Sequence, residues 1–226
     1  MAQLRPKDPE RAKNLEKVIA DGVEAGEMIE KARKAVHEMK SKEYLDQGGK
    51  YREAGDYVKA IEADKKSISY KPSSLAYNEL GFCYLELKQT ANAVLAFQEG
   101  IRLEPTDPVL HYNLAHAYME LSEWEKAKAS AKESLRLKAD DVVLINMLGV
   151  AHFRLTEYSE ALAQFQKATR LAPKDGQYHH NLGKTYFKMG RTAEAQRVYS
   201  KLLTLDKAQA QKLYEVMHPP ATKKHN

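Results

Sequence analysis

The chain has 226 residues, 43% hydrophobic and 30% charged, with 11 glycines, 8 prolines and a single cysteine. That length is enough for one or two buried cores, and one cysteine excludes a disulfide-stapled fold and any multi-cysteine zinc or iron–sulfur site. The net charge of +5 suggests a polyanionic partner, yet residues 1–42 carry +2, residues 207–226 carry +3 and residues 43–206 carry none. A nucleic-acid binder concentrates its cations on the folded face, so no nucleic-acid partner is expected.

The opening, MAQLRPKDPERAKN, has no apolar run, so neither a secretory signal nor a lipoprotein leader is expected, and residues 1–9 read as a flexible N-terminus. No stretch approaches the ~18–20 apolar residues of a membrane span. The expectation is a soluble, cytoplasmic protein. Within residues 10–40, Leu15, Val18, Ile19, Gly22, Val23, Gly26, Ile29, Ala32 and Val36 form a stripe at helical spacing, with charges between them. Gly22 and Gly26 weaken this amphipathic segment, which leaves one bent helix or two shorter ones open. A cap on the first repeat, a degenerate helical pair and a mobile docking arm are all compatible with it.

From residue 41 the chain repeats. Leu80-Gly81, Leu114-Ala115, Leu148-Gly149 and Leu182-Gly183 recur every 34 residues, each followed twelve residues later by an alanine: Ala93, Ala127, Ala161 and Ala195. An earlier copy runs through Gly48 and Ala60 with a 33-residue step. The units are 41–73, 74–107, 108–141, 142–175 and 176–209. Each holds two amphipathic segments of about a dozen residues, whose small residues let two helices approach closely. Tyr51, Tyr84, Tyr118 and Tyr186 recur at one position, and Phe97, Phe165 and Tyr199 at another, where Asp64 stands in the first unit.

The breaks fall where the period puts them. Gly55 and Gly190 suit left-handed helix ends, and Pro72, Pro105 and Pro173 close second helices. Asp107-Pro108 reads as an N-cap with a first-turn proline, and Ser122 through Glu125 has capping-box spacing. Ala208–Met217 reads as a capping helix, so that residues 210–226 comprise its end and a disordered basic tail, HPPATKKHN.

A 34-residue helix–turn–helix with these residues, as in NELGFCYLELKQTANAVLAFQEGIRLEP and HHNLGKTYFKMGRTAEAQRVYSKLL, resembles the tetratricopeptide (TPR) repeat. The resemblance covers about three quarters of the chain. It implies an all-α fold: a right-handed α-solenoid of five TPR repeats, with an N-terminal helical segment and a C-terminal capping helix. It also implies a concave face lined by the second, fifth, ninth and twelfth positions of each unit. From the second unit these include Asn78, Phe82 and Leu85, and from the third Tyr112, His116 and Met119. The fourth supplies Asn146, Val150 and Phe153, and the fifth His180, Lys184 and Phe187. Exposed aromatics and methionine beside a few amides suit an extended peptide or a helix, although several of these side chains are also placed to pack within their own helix pair.

Two known uses of such repeats are not matched. The Lys/Asn/Arg clamp of co-chaperone TPR domains meets Leu45, Gly49, Val109 and Asn113 here. The asparagine ladder of glycosyltransferase-associated repeats keeps Asn113 and Asn181 but is interrupted by Glu79 and Met147. Nothing suggests a catalytic residue, a cofactor or a metal site. The eight histidines have no ligand spacing, and Cys83 fills a slot that is alanine in other units.

The function expected is a non-enzymatic scaffold that binds proteins in its groove. An alternative is a chaperone or adaptor for a secreted or complex-forming client. A helical N-terminal segment followed by five repeats beginning near EYLDQGGKYREAGDYVKAI is also similar to the magnetosome-associated TPR scaffolds. That likeness implies self-association, with residues 10–40 docking in a neighbour's groove. It also implies a place on the cytosolic face of an organelle membrane, held there only through a protein partner.

Overall fold

The computed structural model describes residues 9–219. The expected flexible N-terminus, apart from Pro9, and the expected tail from Pro220 onward lie outside the described residues. Among these residues there are eleven α-helices and no strand: α1 (Pro9–Glu53), α2 (Tyr57–Tyr70), α3 (Ser74–Glu86), α4 (Thr90–Leu103), α5 (Pro108–Glu120), α6 (Trp124–Leu137), α7 (Val142–Arg154), α8 (Tyr158–Leu171), α9 (Gly176–Lys188), α10 (Thr192–Leu205) and α11 (Lys207–Met217). The chain forms two compact units, one ending at Ala76 and the other beginning at Tyr77.

In the first unit, α1 pairs with α2. One 45-residue helix runs from the N-terminal segment into the first helix of the repeat pattern, so neither Gly22 nor Gly26 breaks it. Residues 21–39 are exposed on every side, and a methyl group at either glycine would meet nothing within 4 Å. At the end of this stretch Glu38 accepts from Lys71 Nζ at 2.6 Å and the His37 ring lies edge-on to Tyr70 of α2. Where other units carry an aromatic, Asp64 is fully buried against Gly48. Arg52 Nη1 donates to both its carboxylate oxygens, at 3.0 and 2.8 Å, so the buried charge is compensated.

The second unit is a solenoid of helix pairs. Each helix packs on the next from α4 through α11, and α11 also packs on α9. The small first-helix residue carries this packing: a methyl group at Gly81 would lie 2.5 Å from the Phe97 ring, and one at Gly149 2.6 Å from Phe165. Both rings are buried almost completely. In the third pair Ala131 replaces the ring, and Leu144, Met147 and Leu148 of α7 fill the space around Ala115. At the end of the unit Gly183 meets Leu213 of α11 instead of an aromatic, so α11 stacks as a further first helix.

Between first and second helices one residue of each turn takes the left-handed conformation: Gly55, Lys88, Ser122, Thr156 and Gly190, with φ between 58° and 74°. The capping box expected at Ser122 does not form. Ser122 is that left-handed residue, and the α6 N-cap is Glu123, without a side-chain hydrogen bond. Asp107 does cap α5, accepting from Val109 N–H ahead of a first-turn proline. Asp141, Asp175 and Asp206 cap α7, α9 and α11 in the same way.

This packing predicts opposite signs for three substitutions. Gly149→Ala and Ala127→Leu overfill tight helix pairs and are expected to cost ~1–3 kcal/mol each. Thr156→Gly relieves a left-handed β-branched residue, a strain of about 1–2 kcal/mol, partly offset by glycine's unfolded-state entropy; a net gain of about 0.5–1 kcal/mol is expected. Urea melts with a shared m-value test all three, and unchanged midpoints for the first two contradict the register.

Candidate functional site

Successive first helices pack on one another, α5 with α7 and α7 with α9, whereas the second helices α6 and α8, or α8 and α10, do not pack in this way. The first helices therefore crowd the inner side of the second unit. The face of α3, α5, α7 and α9 is where the expected groove residues lie.

Among the described residues, two of the cavities lie between first helices on this face. The first, of about 250 Å³, lies between α3 and α5 and is lined by Phe82, Leu85, Tyr112, Asn113 and His116 with Glu86, Lys88 and Glu120. The second, of about 310 Å³, lies between α7 and α9 and is lined by Asn146, Val150, Phe153, Arg154, Phe165, Gln177, Asn181 and Lys184. Eight of the twelve expected residues line one cavity or the other. The remaining four are placed differently. Asn78 pairs with Asn113 beside the first cavity. Met119 is half-buried and packs into the cores around Leu114 and Leu148. Phe187 is half-buried and lines neither cavity. His180 corrects the expectation of an open groove position: it is 9% exposed, its Nδ1 3.4 Å from the Gln209 carbonyl, because α11 covers that end of α9.

Amide side chains tie the face together. Asn113 Nδ2 donates to Asn78 Oδ1 at 2.7 Å, and Asn181 Nδ2 to Asn146 Oδ1 at 2.8 Å. The second pair extends through Gln177 Nε2, which donates to Asn181 Oδ1 at 3.3 Å, and Gln209 Nε2, which donates to Gln177 Oε1 at 3.0 Å. The Nδ2 groups of Asn78 and Asn146 have no acceptor among the described residues and remain as donors. By sequence, Asn113 and Asn181 are only members of an interrupted ladder. Their partners sit one position earlier in the neighbouring unit, a diagonal that comparison of equivalent positions does not reveal.

The two cavities differ in charge. In the first, Lys88 Nζ lies 3.8 Å from Glu120, which also accepts from Thr90 Oγ1 at 2.9 Å. In the second, Lys184 Nζ sits 4.8 Å from the Phe153 ring centre and the Arg154 guanidinium 5.2 Å from that of Trp124. No carboxylate pairs with either cation among the described residues. Burial, with Arg154 and Lys188 nearby, holds the Lys184 ammonium below its ordinary pKa of 10.5. Burial likewise lowers His179 and His180. Arg154 follows the last expected groove position of its unit, and nothing in the sequence pattern marks it. Among the described residues no group of three His, Cys, Asp or Glu side chains is placed to hold a metal ion, and no helix is long and apolar enough to cross a membrane.

Family models described as tetratricopeptide repeats match residues 75–107, 96–129 and 176–214, and one described as TPR repeat matches 149–190. Together they span more than half of the chain. Among solved structures, the crystal structure of MamA protein is 22% identical, with 76% of this chain and 94% of that one covered and a TM-score of 0.71. MamA from Desulfovibrio magneticus RS-1 is 19% identical, covering 75% and 97%, with a TM-score of 0.72. YrrB, described as a TPR protein with an unusual peptide-binding site, is 19% identical, covering 76% and 90%, with a TM-score of 0.70. These likenesses establish the fold. No curated protein matches the sequence.

The position of Lys184 gives a pH prediction. Its ammonium is disfavoured in the folded state, so stability rises as pH climbs from the lowered folded value towards 10.5. Relative to wild type, Lys184→Met is therefore expected to have its most favourable melting temperature near pH 7, with the difference changing in favour of wild type towards pH 10. A difference independent of pH rejects the assignment.

Proposed function

Because the chain belongs to the tetratricopeptide repeat family, we propose that this protein-interaction scaffold holds an extended peptide or a helix along its first-helix face. The observation that carries the reading is the pairing of half-exposed aromatic and apolar side chains (Phe82, Tyr112, Val150 and Phe153) with the unused amide donors of Asn78 and Asn146. Apolar contacts supply affinity, and the amides meet carbonyls of a partner's backbone. TPR proteins in general are non-enzymatic, and the role proposed here is binding alone, in the cytoplasm. Service as a chaperone or adaptor for a client protein uses the same face.

A second reading, self-assembly, is favoured by α1. Val23, Met28, Ile29, Val36 and Met39 are 48–71% exposed on one helix, an apolar load that a solvated helix does not need. Residues 21–39 span ~28 Å at 1.5 Å per residue. Three steps from α3 to α9 at 8–10 Å each give a face of about 24–30 Å, long enough to receive such a segment from a second copy. A coat of the magnetosome-associated kind, on the cytosolic face of an organelle membrane, is the finer form of this reading.

Two experiments separate the readings. The triple variant Asn78→Ala, Tyr112→Ala, Asn146→Ala is expected to lose the partner that the intact protein captures in a pull-down read by mass spectrometry. Its helicity should be kept, and stability should fall by only about 0.5–1.5 kcal/mol for each lost amide bond. Collapse of the fold instead assigns these residues to the core and rejects the groove. For self-assembly, Ile29→Glu with Val36→Glu should reduce a large species to monomer in light scattering; a monomer before substitution rejects it.

A further inference from the structure

The exposed part of α1 carries two patterns that share one midpoint. Gly22, Ala25, Ile29, Ala32, Val36 and Met39 recur at alternating steps of three and four, the spacing of a two-helix seam, and all six are exposed. Val36 and Met39 stay exposed where α2 begins to pack, because α2 takes the other side of the helix. Ser41 Oγ lies 3.0 Å from Ser67 Oγ, Tyr44 stacks on Tyr70, and Lys71 Nζ donates to Glu38. At about 100° per residue, these positions lie opposite the seam. The second pattern is charge. Residues 21–30 hold four carboxylates and no cation, whereas residues 31–42 hold five cations and one carboxylate. The acidic and basic halves meet between Glu30 and Lys31.

We propose that two copies of the chain pair through this seam, α1 against α1 in antiparallel orientation, with the axis between Glu30 and Lys31. Ile29 then meets Ala32 of the second copy, Val36 meets Ala25, and Met39 meets Gly22. Every layer sets a long side chain against a small one, as close packing requires. The same axis lays the acidic half of each copy along the basic half of the other and brings Asp21 to face Lys42 at the edge of the seam. A parallel pair would set glycine on glycine and alanine on alanine, leaving gaps between crowded layers, and would align like charges. The two patterns thus select one orientation and register independently. Exposed charges supply direction more than affinity; affinity comes from the apolar layers, which span ~26 Å of helix. The inference rests on the self-assembly reading but makes α1 itself the partner element, so the first-helix face stays open for a peptide.

The test uses the full-length protein with Cys83→Ala, alanine being the residue that other units carry at that position, so that added cysteines are the only thiols. Gly22→Cys and Met39→Cys fall at exposed positions. Mixed and mildly oxidised, these two variants should give a cross-linked dimer. Each alone should give far less, since like positions lie ~25 Å apart along the antiparallel pair. Two charge variants probe the halves: one carries Glu24→Lys, Glu27→Lys and Glu30→Lys, the other Lys31→Glu, Arg33→Glu and Lys34→Glu. In sedimentation velocity each alone should dimerise about tenfold more weakly than wild type. An equimolar mixture of the two should recover the dimer, an outcome that misfolding cannot produce. Cross-linking of either cysteine variant mainly with itself, or a charge mixture that associates no better than its parts, overturns the antiparallel pair. Self-association that persists in that case leaves the self-assembly reading standing with another partner surface, and a wild-type monomer rejects both.

Discussion

Each pair in the second unit depends on the closeness with which two helices approach where the first carries glycine or alanine. Phe97 and Phe165 lie so near Gly81 and Gly149 that a single methyl group would overlap the ring. A lone helix pair has too little apolar surface to hold such an arrangement, since its exposed stripe must be covered by the next pair. Closeness within a pair and stacking between pairs are therefore one constraint. Where the ring is missing the same space is filled differently: Ala131 leaves room that α7 occupies, and Gly183 receives Leu213 from α11. In the first unit the position is held by a buried ion pair, Asp64 with Arg52.

The turns serve this constraint at a local cost. A left-handed residue after each first helix reverses the chain within a few residues, and three of the five positions use Lys88, Ser122 and Thr156 where glycine has no steric penalty. The aspartate caps on α5, α7, α9 and α11 then start the first helices at a repeated point. That regularity brings α5 against α7 and α7 against α9 and leaves side chains of the fifth and ninth positions on a shared face.

The chemistry open to this face depends on how its polar groups are balanced. Amides placed diagonally across neighbouring first helices satisfy one another on one side only, so donors remain. The α3–α5 cavity is lined by two carboxylates and one ammonium, the α7–α9 cavity by two cations and no carboxylate. A surface built from near-identical units thereby gains two unlike ends.

The all-α class and the pairing of helices were legible in the sequence, because a 34-residue period with small and aromatic residues at set offsets has few physical solutions. The prolines that end α2, α4 and α8 and the left-handed Gly55 and Gly190 were legible for the same reason: they act through local backbone geometry. Eight of the twelve proposed groove residues also came to line a cavity, since position within a repeat predicts which way a side chain faces. Other features had no local signature. Gly22 and Gly26 gave no hint that α1 would run unbroken, and Ser122 looked like a cap because its spacing, not its φ, was visible. The burial of His180 depends on α11 arriving from about thirty residues away. The diagonal asparagine pairs and the unpaired Arg154 and Lys184 depend on which neighbour each side chain meets across two helices. Period and composition determined the helices and their order by themselves. Partners, burial and uncompensated charge were decided only by packing, because they belong to the spaces between repeats, not to any one of them.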